Sequence, residues 1–322
     1  MNDASSLAKP PVALAGWRLV AVLLSLLAAT YVLAALSAVA LQRYLLPWLP
    51  DDWSAALLRR GEGKLMTRAL QIWLVILLPL GLRFSGWRGW RDCGWRNTTA
   101  RPVWLDLAKG IAVGVATLGV LALFLYLTER RLASPLDPAK GIPWLIIGYA
   151  FSALIVSVFE ETIARGIIFR IWSRLWGVVV AALVSSFLFA AAHFINPDGA
   201  AFKLPGFWQA AGALLMSALR LDTADAAFVI RLFNIALLGL ALCAMVRLTG
   251  SIWLAVGAHA GWVWSIKLNN FFTDAVPPPL RSRFWGARGD LTDSTAGSLA
   301  LLAVLLVVVW LIWRRERCTT TG

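Results

Sequence analysis

The feature that most constrains this chain is a series of apolar runs, several of about 18 or more residues, the length a helix needs to cross a bilayer. Backbone N–H and C=O groups in lipid have no water to bond. Such runs therefore close their hydrogen bonds within the segment, as helices. The runs do not alternate apolar with polar residues, which excludes a membrane β-barrel. Of the 322 residues, 60% are hydrophobic, more than the roughly 45–50% typical of a soluble domain. The fold class expected is all-α: a polytopic integral membrane protein of about eight transmembrane helices, one membrane domain over residues 1–322, with a cavity inside the helix bundle.

The spans are expected at Leu19–Leu41, Ala69–Leu82 (kinked at Pro79), Ile111–Leu127, Trp144–Phe159, Val178–Phe194, Ala227–Val246, Ile252–Ile266 and Leu299–Ile312. Val103–Ala108 reads as an amphipathic lead-in. Phe207–Leu219, followed by Asp222 and Asp225, is apolar but short, and reads as interfacial or re-entrant. Asn196-Pro197-Asp198-Gly199 is a turn signal. Ala38-Val39-Ala40 has the small residues of a signal-cleavage site, with Lys9 and Arg18 upstream. The apolar run before it exceeds the ~7–15 residues of a signal core, which favours a retained helix.

The net charge of +13 falls mostly between the apolar runs, where Lys and Arg face lipid head groups and set orientation. No basic motif stands outside the membrane flanks, so nucleic acid is not an expected partner. The densest short basic loop, Arg83–Lys109, holds Arg88, Arg91, Arg96 and Arg101. With the C-terminal Arg314-Arg315-Glu316-Arg317 it places both termini in the cytoplasm, in an inner or cytoplasmic membrane. The Gly86-Trp87, Gly89-Trp90 and Gly94-Trp95 pairs read as an interfacial loop. Cys93, Cys243 and Cys318 have neither disulfide-framework nor zinc-site spacing.

Ionisable residues at membrane depth are costly and mark function. Both histidines of the chain, His193 and His259, fall in apolar spans, and Glu160-Glu161 closes another. Glu161 and Arg165 are four apart and share a helix face, while Glu160 is rotated by about 100° and points elsewhere. Read alone, this pair is a solvated helix end, and each histidine is a packed, hydrogen-bonded one. Three such coincidences in apolar helices point instead to one site. A carboxylate with two imidazoles suits hydrolysis: a buried glutamate takes a proton from water, one histidine orients that water and returns the proton to the leaving amine, and the other donates to the oxyanion. No nucleophile elbow, phosphate-binding loop or HExxH is present. Ser185 and Ser186, near His193, are the nearest candidates for a serine mechanism.

The EExxxR element at Glu160–Arg165, the FxxxH element at Phe189–His193 and the late His259 resemble the CAAX prenyl protease and bacteriocin-processing enzyme family, which includes the Ras-converting CAAX endopeptidase. The resemblance covers residues 105–267, a protease-like core. It implies Glu160 as the water-activating residue, His193 as its partner, Glu161 and Arg165 as a supporting pair, and His259 at the oxyanion. The family's last element is commonly HxxxN, and here that place is Val263; Asn234, Asn196 and Lys267 are the candidates to replace the missing amide.

The expected function is an intramembrane endopeptidase, with Glu160, His193 and His259 catalytic and Glu161, Arg165, Phe189 and Asn234 supporting. Its partners are the lipid bilayer and a peptide or protein substrate, membrane-anchored or free. No cofactor is expected. Zinc held by Glu160, His193 and His259 is the alternative. The competing functions are a non-proteolytic scaffold or immunity-type peptide-binding protein, and a proton-coupled transporter, which the lack of internal repeats disfavours.

Overall fold

The computed structural model describes residues 16–58, 61–84, 92–95, 102–135, 141–218, 226–277, 282–286 and 291–320. Gly86-Trp87, Gly89-Trp90, Arg88, Arg91, Arg96, Arg101, Asp222, Asp225 and Lys9 lie outside them. The architecture is all-α. Six helical stretches are long and apolar enough to cross a membrane. One of these, Ile142–Ala192, is 51 residues long and contains both of the spans expected at 144–159 and 178–194.

The chain divides into two compact units, one holding residues 1–89 and 192–221, the other residues 90–191 and 222–322. In the first, α1 (Gly16–Ala40) runs through a π turn, Leu41–Leu45, toward Pro47, which stops it. α2 (Asp51–Leu58) begins with two aspartates in its first turn, where the helix dipole favours negative charge. α3 (Lys64–Phe84) carries Pro79 inside. Ala34, Ala35, Ala38 and Val39 of α1 pack with Leu65 and Met66 of α3 in a buried cluster. The same cluster takes Ala210, Ala211 and Leu214 of a shorter helix, Phe207–Ala218. Tyr31 donates to the Leu215 carbonyl at 2.6 Å, and Trp73 to Ser37 at 3.1 Å. At 12 residues the Phe207–Ala218 helix reaches about 18 Å, short of a span.

The second unit opens with α4 (Val103–Gly114), a π segment at Val115–Gly119 and α5 (Val120–Leu127). These form one continuous candidate span of 25 residues. The stretch expected as a separate lead-in is thus the first turns of a spanning helix, because Asp106 turns inward and is buried. α6 (Ile142–Glu161) passes through a π segment, Thr162–Phe169, into α7 (Arg170–Ala192). Gly177, at φ 81° and ψ 163°, breaks α7, a conformation open to a residue without Cβ. With α8 assigned to Phe207–Ala218, the remaining helices are α9 (Ala226–Thr249), α10 (Trp253–Phe272) and α11 (Thr295–Thr320).

α10 is the buried centre of this unit, with every residue from Ala255 to Trp262 buried. It extends past the expected end at Ile266. It is not among the six apolar stretches, and it carries His259, Lys267, Asn269 and Asn270 where a lipid-facing helix would carry apolar side chains. Gly110 and Gly114 of α4 meet Gly257 and Gly261 of α10 backbone to backbone. A Cβ at Gly261 would lie 2.7 Å from the Ile111 carbonyl oxygen and 3.0 Å from the Gly114 Cα. Paired small-xxx-small faces allow this approach in membrane helices. A two-stranded antiparallel ladder, β1 (Arg131–Ala133) with β2 (Thr273–Ala275), was not expected from the sequence. It rests on Arg131, buried, which donates to the Thr273 side chain at 2.6 Å and its carbonyl at 2.7 Å.

Candidate active site

The site is built where α6 leaves α-helical geometry. Glu160 and Glu161 are its last two residues, and Arg165 sits within the following π segment. Such segments recur at functional sites because they re-aim side chains without ending the helix. Gly166 allows the chain at Cys93 to come close: a Cβ there would lie 2.7 Å from the Cys93 carbonyl oxygen. Trp95 donates to Thr162 at 3.2 Å, and Arg170 donates to the Gly250 carbonyl at 2.7 Å. These bonds hold the segment from both sides.

The Arg165 guanidinium donates to Glu161 Oε1 at 2.9 Å, and neither side chain has any exposure. A second N–H reaches the Gly239 carbonyl at 3.3 Å. Gly239 also lets α9 close on α7, since a Cβ there would stand 2.8 Å from the Ser186 Cβ. The same Glu161 oxygen lies 2.8 Å from His259 Nδ1. A carboxylate only accepts, so Nδ1 carries the proton and the ring is fixed in orientation. Its other nitrogen, Nε2, then faces Glu160, 3.8 Å from Oε2. Glu160 is the more open of the two acids, its side chain 24% exposed. Phe189 stands between Arg165 and His259. Its ring lies 4.2 Å from the Arg165 guanidinium carbon and packs edge-on against His259 with centroids 5.8 Å apart, a cation–π geometry.

The structure therefore brings together Glu160, Glu161, Arg165, Phe189 and His259. His193 follows the last residue of α7, in a turn, with an exposed side chain, and belongs to the other compact unit. The span expected to include it ends one residue earlier, ahead of Asn196-Pro197, as the restriction that proline places on its predecessor favours. Asn234 is not brought to this cluster. Its amide donates to the Thr292 and Ser294 carbonyls, both at 2.9 Å, and accepts from Ser298 at 2.5 Å. Lys267 bonds Ser152 at 2.7 Å, and Asn196 is exposed in the loop after α7. Ser185 donates to the Ala164 carbonyl at 3.1 Å and Ser186 faces Cys243 Sγ at 3.9 Å. Both serines are buried and held away from nucleophilic work. Among the described residues no three His, Cys, Asp or Glu side chains form a metal-ligand group.

Two features escaped the sequence reading. Glu161 orients His259 as well as pairing with Arg165. The glycine pairs that seat α10 against α4 were legible, as Gly-x-x-x-Gly at 110–114 and 257–261.

Residues 142–265 match the model of the Rce1-like family, the type II CAAX prenyl endopeptidases. The match agrees with the resemblance carried by the EExxxR, FxxxH and late-histidine elements, all of which lie inside it. No curated protein matches the chain, and no solved structure does. The Rce1-like segment begins at α6 and ends within α10, so it contains every residue of the cluster around Glu161.

Proposed function

We propose that this chain is an intramembrane endopeptidase of the CAAX type, which hydrolyses a peptide bond at the membrane boundary with water activated by Glu160. The observation that carries the reading is the buried line of groups Arg165, Glu161 and His259, which presents Nε2 to Glu160 across 3.8 Å. That gap exceeds a hydrogen bond and suits a bridging water or substrate oxygen. Glu160 accepts the proton of the attacking water, and the water oxygen bonds the scissile carbonyl carbon. His259 donates to the oxyanion in its protonated form, when both ring nitrogens are donors and Glu161 balances the added charge. The C–N bond then breaks and the proton held by Glu160 passes to the leaving amine. The substrate is a peptide or protein held at the bilayer, and the family match favours a prenylated C-terminus. We place both termini in the cytoplasm.

The test uses purified full-length protein in liposomes and a farnesylated CAAX peptide, with products read by mass spectrometry. Wild type is expected to release the C-terminal fragment, and Glu160→Gln to lose about 10²–10⁴-fold or more in rate at an unchanged melting temperature. Full turnover by Glu160→Gln would overturn the assignment. A second reading, a peptide-binding protein without proteolysis, is favoured by Val263, which cannot supply the amide of the family's HxxxN element. Peptide bound but left uncut by wild type would decide for it.

A further inference from the structure

A cavity of about 1070 Å³ lies in the second unit, lined by α4, the π segment after it, the end of α9 and α11. None of the cluster around Glu161 and His259 lines it. Its size matches ligand sites, which run to about 300–1,000 Å³. On α4 its lining runs from Asp106 to Val120, and on α11 from Arg315 back to Ala300. Fourteen or fifteen residues at about 1.5 Å each make a slot of about 21 Å, longer than one leaflet of a hydrocarbon core of about 30 Å. One end is polar, with Asp106, Lys109, Thr249 and Arg315; the rest is Ala, Val, Leu and Met apart from Thr117. Thr117 is engaged by the Trp262 indole at 2.7 Å.

Asp106 decides the chemistry. It is 3% exposed, and among the described residues no hydrogen bond or ion pair reaches it. Its place in the first turn of α4 suits the sign of its charge, and it lines the polar end of the slot, where a cationic donor would meet it. Lys109 and Arg315, both exposed, flank the same end. Arg315 is steered there by its bond to the Leu248 carbonyl at 2.6 Å.

We infer that this slot binds one phospholipid whose head group carries a primary ammonium and a phosphate, as phosphatidylethanolamine does. The ammonium donates to Asp106, the phosphate meets Lys109 and Arg315, and an acyl chain fills the slot. A purely anionic lipid brings no cation to Asp106, and a quaternary ammonium has no N–H to give.

Native mass spectrometry of the full chain in detergent tests this, with phosphatidylethanolamine, phosphatidylcholine and phosphatidylglycerol of identical acyl chains. Wild type is expected to retain phosphatidylethanolamine roughly tenfold or more better than the others, the difference a charge-assisted hydrogen bond makes. Asp106→Asn should erase that preference, and Ala303→Trp, which fills the slot, should lower retention of all three. Should Asp106→Asn fold poorly, Lys109→Glu at the exposed rim should weaken phosphatidylethanolamine and phosphatidylglycerol together. Equal retention of the three lipids, a preference for phosphatidylglycerol, a preference unchanged in Asp106→Asn, or retention unchanged in Lys109→Glu would overturn the proposal.

Discussion

Glu161 accepts two hydrogen bonds on one oxygen, from Arg165 at 2.9 Å and His259 at 2.8 Å, with no exposure of its own. Removing one partner of a buried ion pair leaves the other charge stranded, at a cost of about 3–5 kcal/mol. Glu161→Gln is therefore expected to lower the melting temperature sharply, whereas Glu160→Gln, at a side chain 24% exposed, should leave it near wild type. Thermal unfolding in detergent reads both, and equal melting temperatures would refute the division of roles. The residues of this cluster were legible in the sequence because ionisable groups are rare in apolar helices, and the four-residue spacing assigned Arg165 to Glu161. The bond from Glu161 to His259 was not legible. It joins helices 98 positions apart in sequence, and helical spacing speaks only of neighbours on one helix.

At the scale of elements, most helices followed from their apolar runs, while their ends followed less well. α4 reaches back to Val103 because Asp106 faces inward, and a polar residue in a lead-in looks the same in sequence whether it faces water or a cavity. The β1–β2 ladder depends on Arg131 finding Thr273, a pairing across 142 positions. Asn234 shows the same limit. An amide inside an apolar span was expected to serve the oxyanion, yet it ties α9 to the start of α11 through Thr292, Ser294 and Ser298. Asn234→Leu would orphan these partners, each at about 1–3 kcal/mol. The expected outcome is a lower melting temperature with little change in kcat/KM for the protein that remains folded. A selective loss of kcat/KM at normal stability would return Asn234 to the catalytic step.

For the whole molecule, the second unit has a consistent direction of its helices. Arg247 near the end of α9 pairs with Glu316 near the end of α11 at 3.2 Å, so these two helices run the same way. The basic cluster of Arg314, Arg315 and Arg317 thus emerges beside Arg247, and such clusters favour the cytoplasmic face. The three cysteines provide a test without engineered labels. Cys318 is exposed, while Cys93 and Cys243 are buried. Burial pushes the Cys93 thiol up to about 11, against the opposing pull of Arg170. The thiolate is the reactive form, so at neutral pH almost none is present at Cys93, and its reactivity would rise only as pH approaches that value. A membrane-impermeant maleimide at neutral pH is therefore expected to modify the folded protein at Cys318 alone. It should do so in inverted membrane vesicles and not in intact right-side-out cells, with Cys318→Ser abolishing the label. Modification of Cys318 from the outer face would place the C-terminus there and reverse the orientation of every helix in the unit.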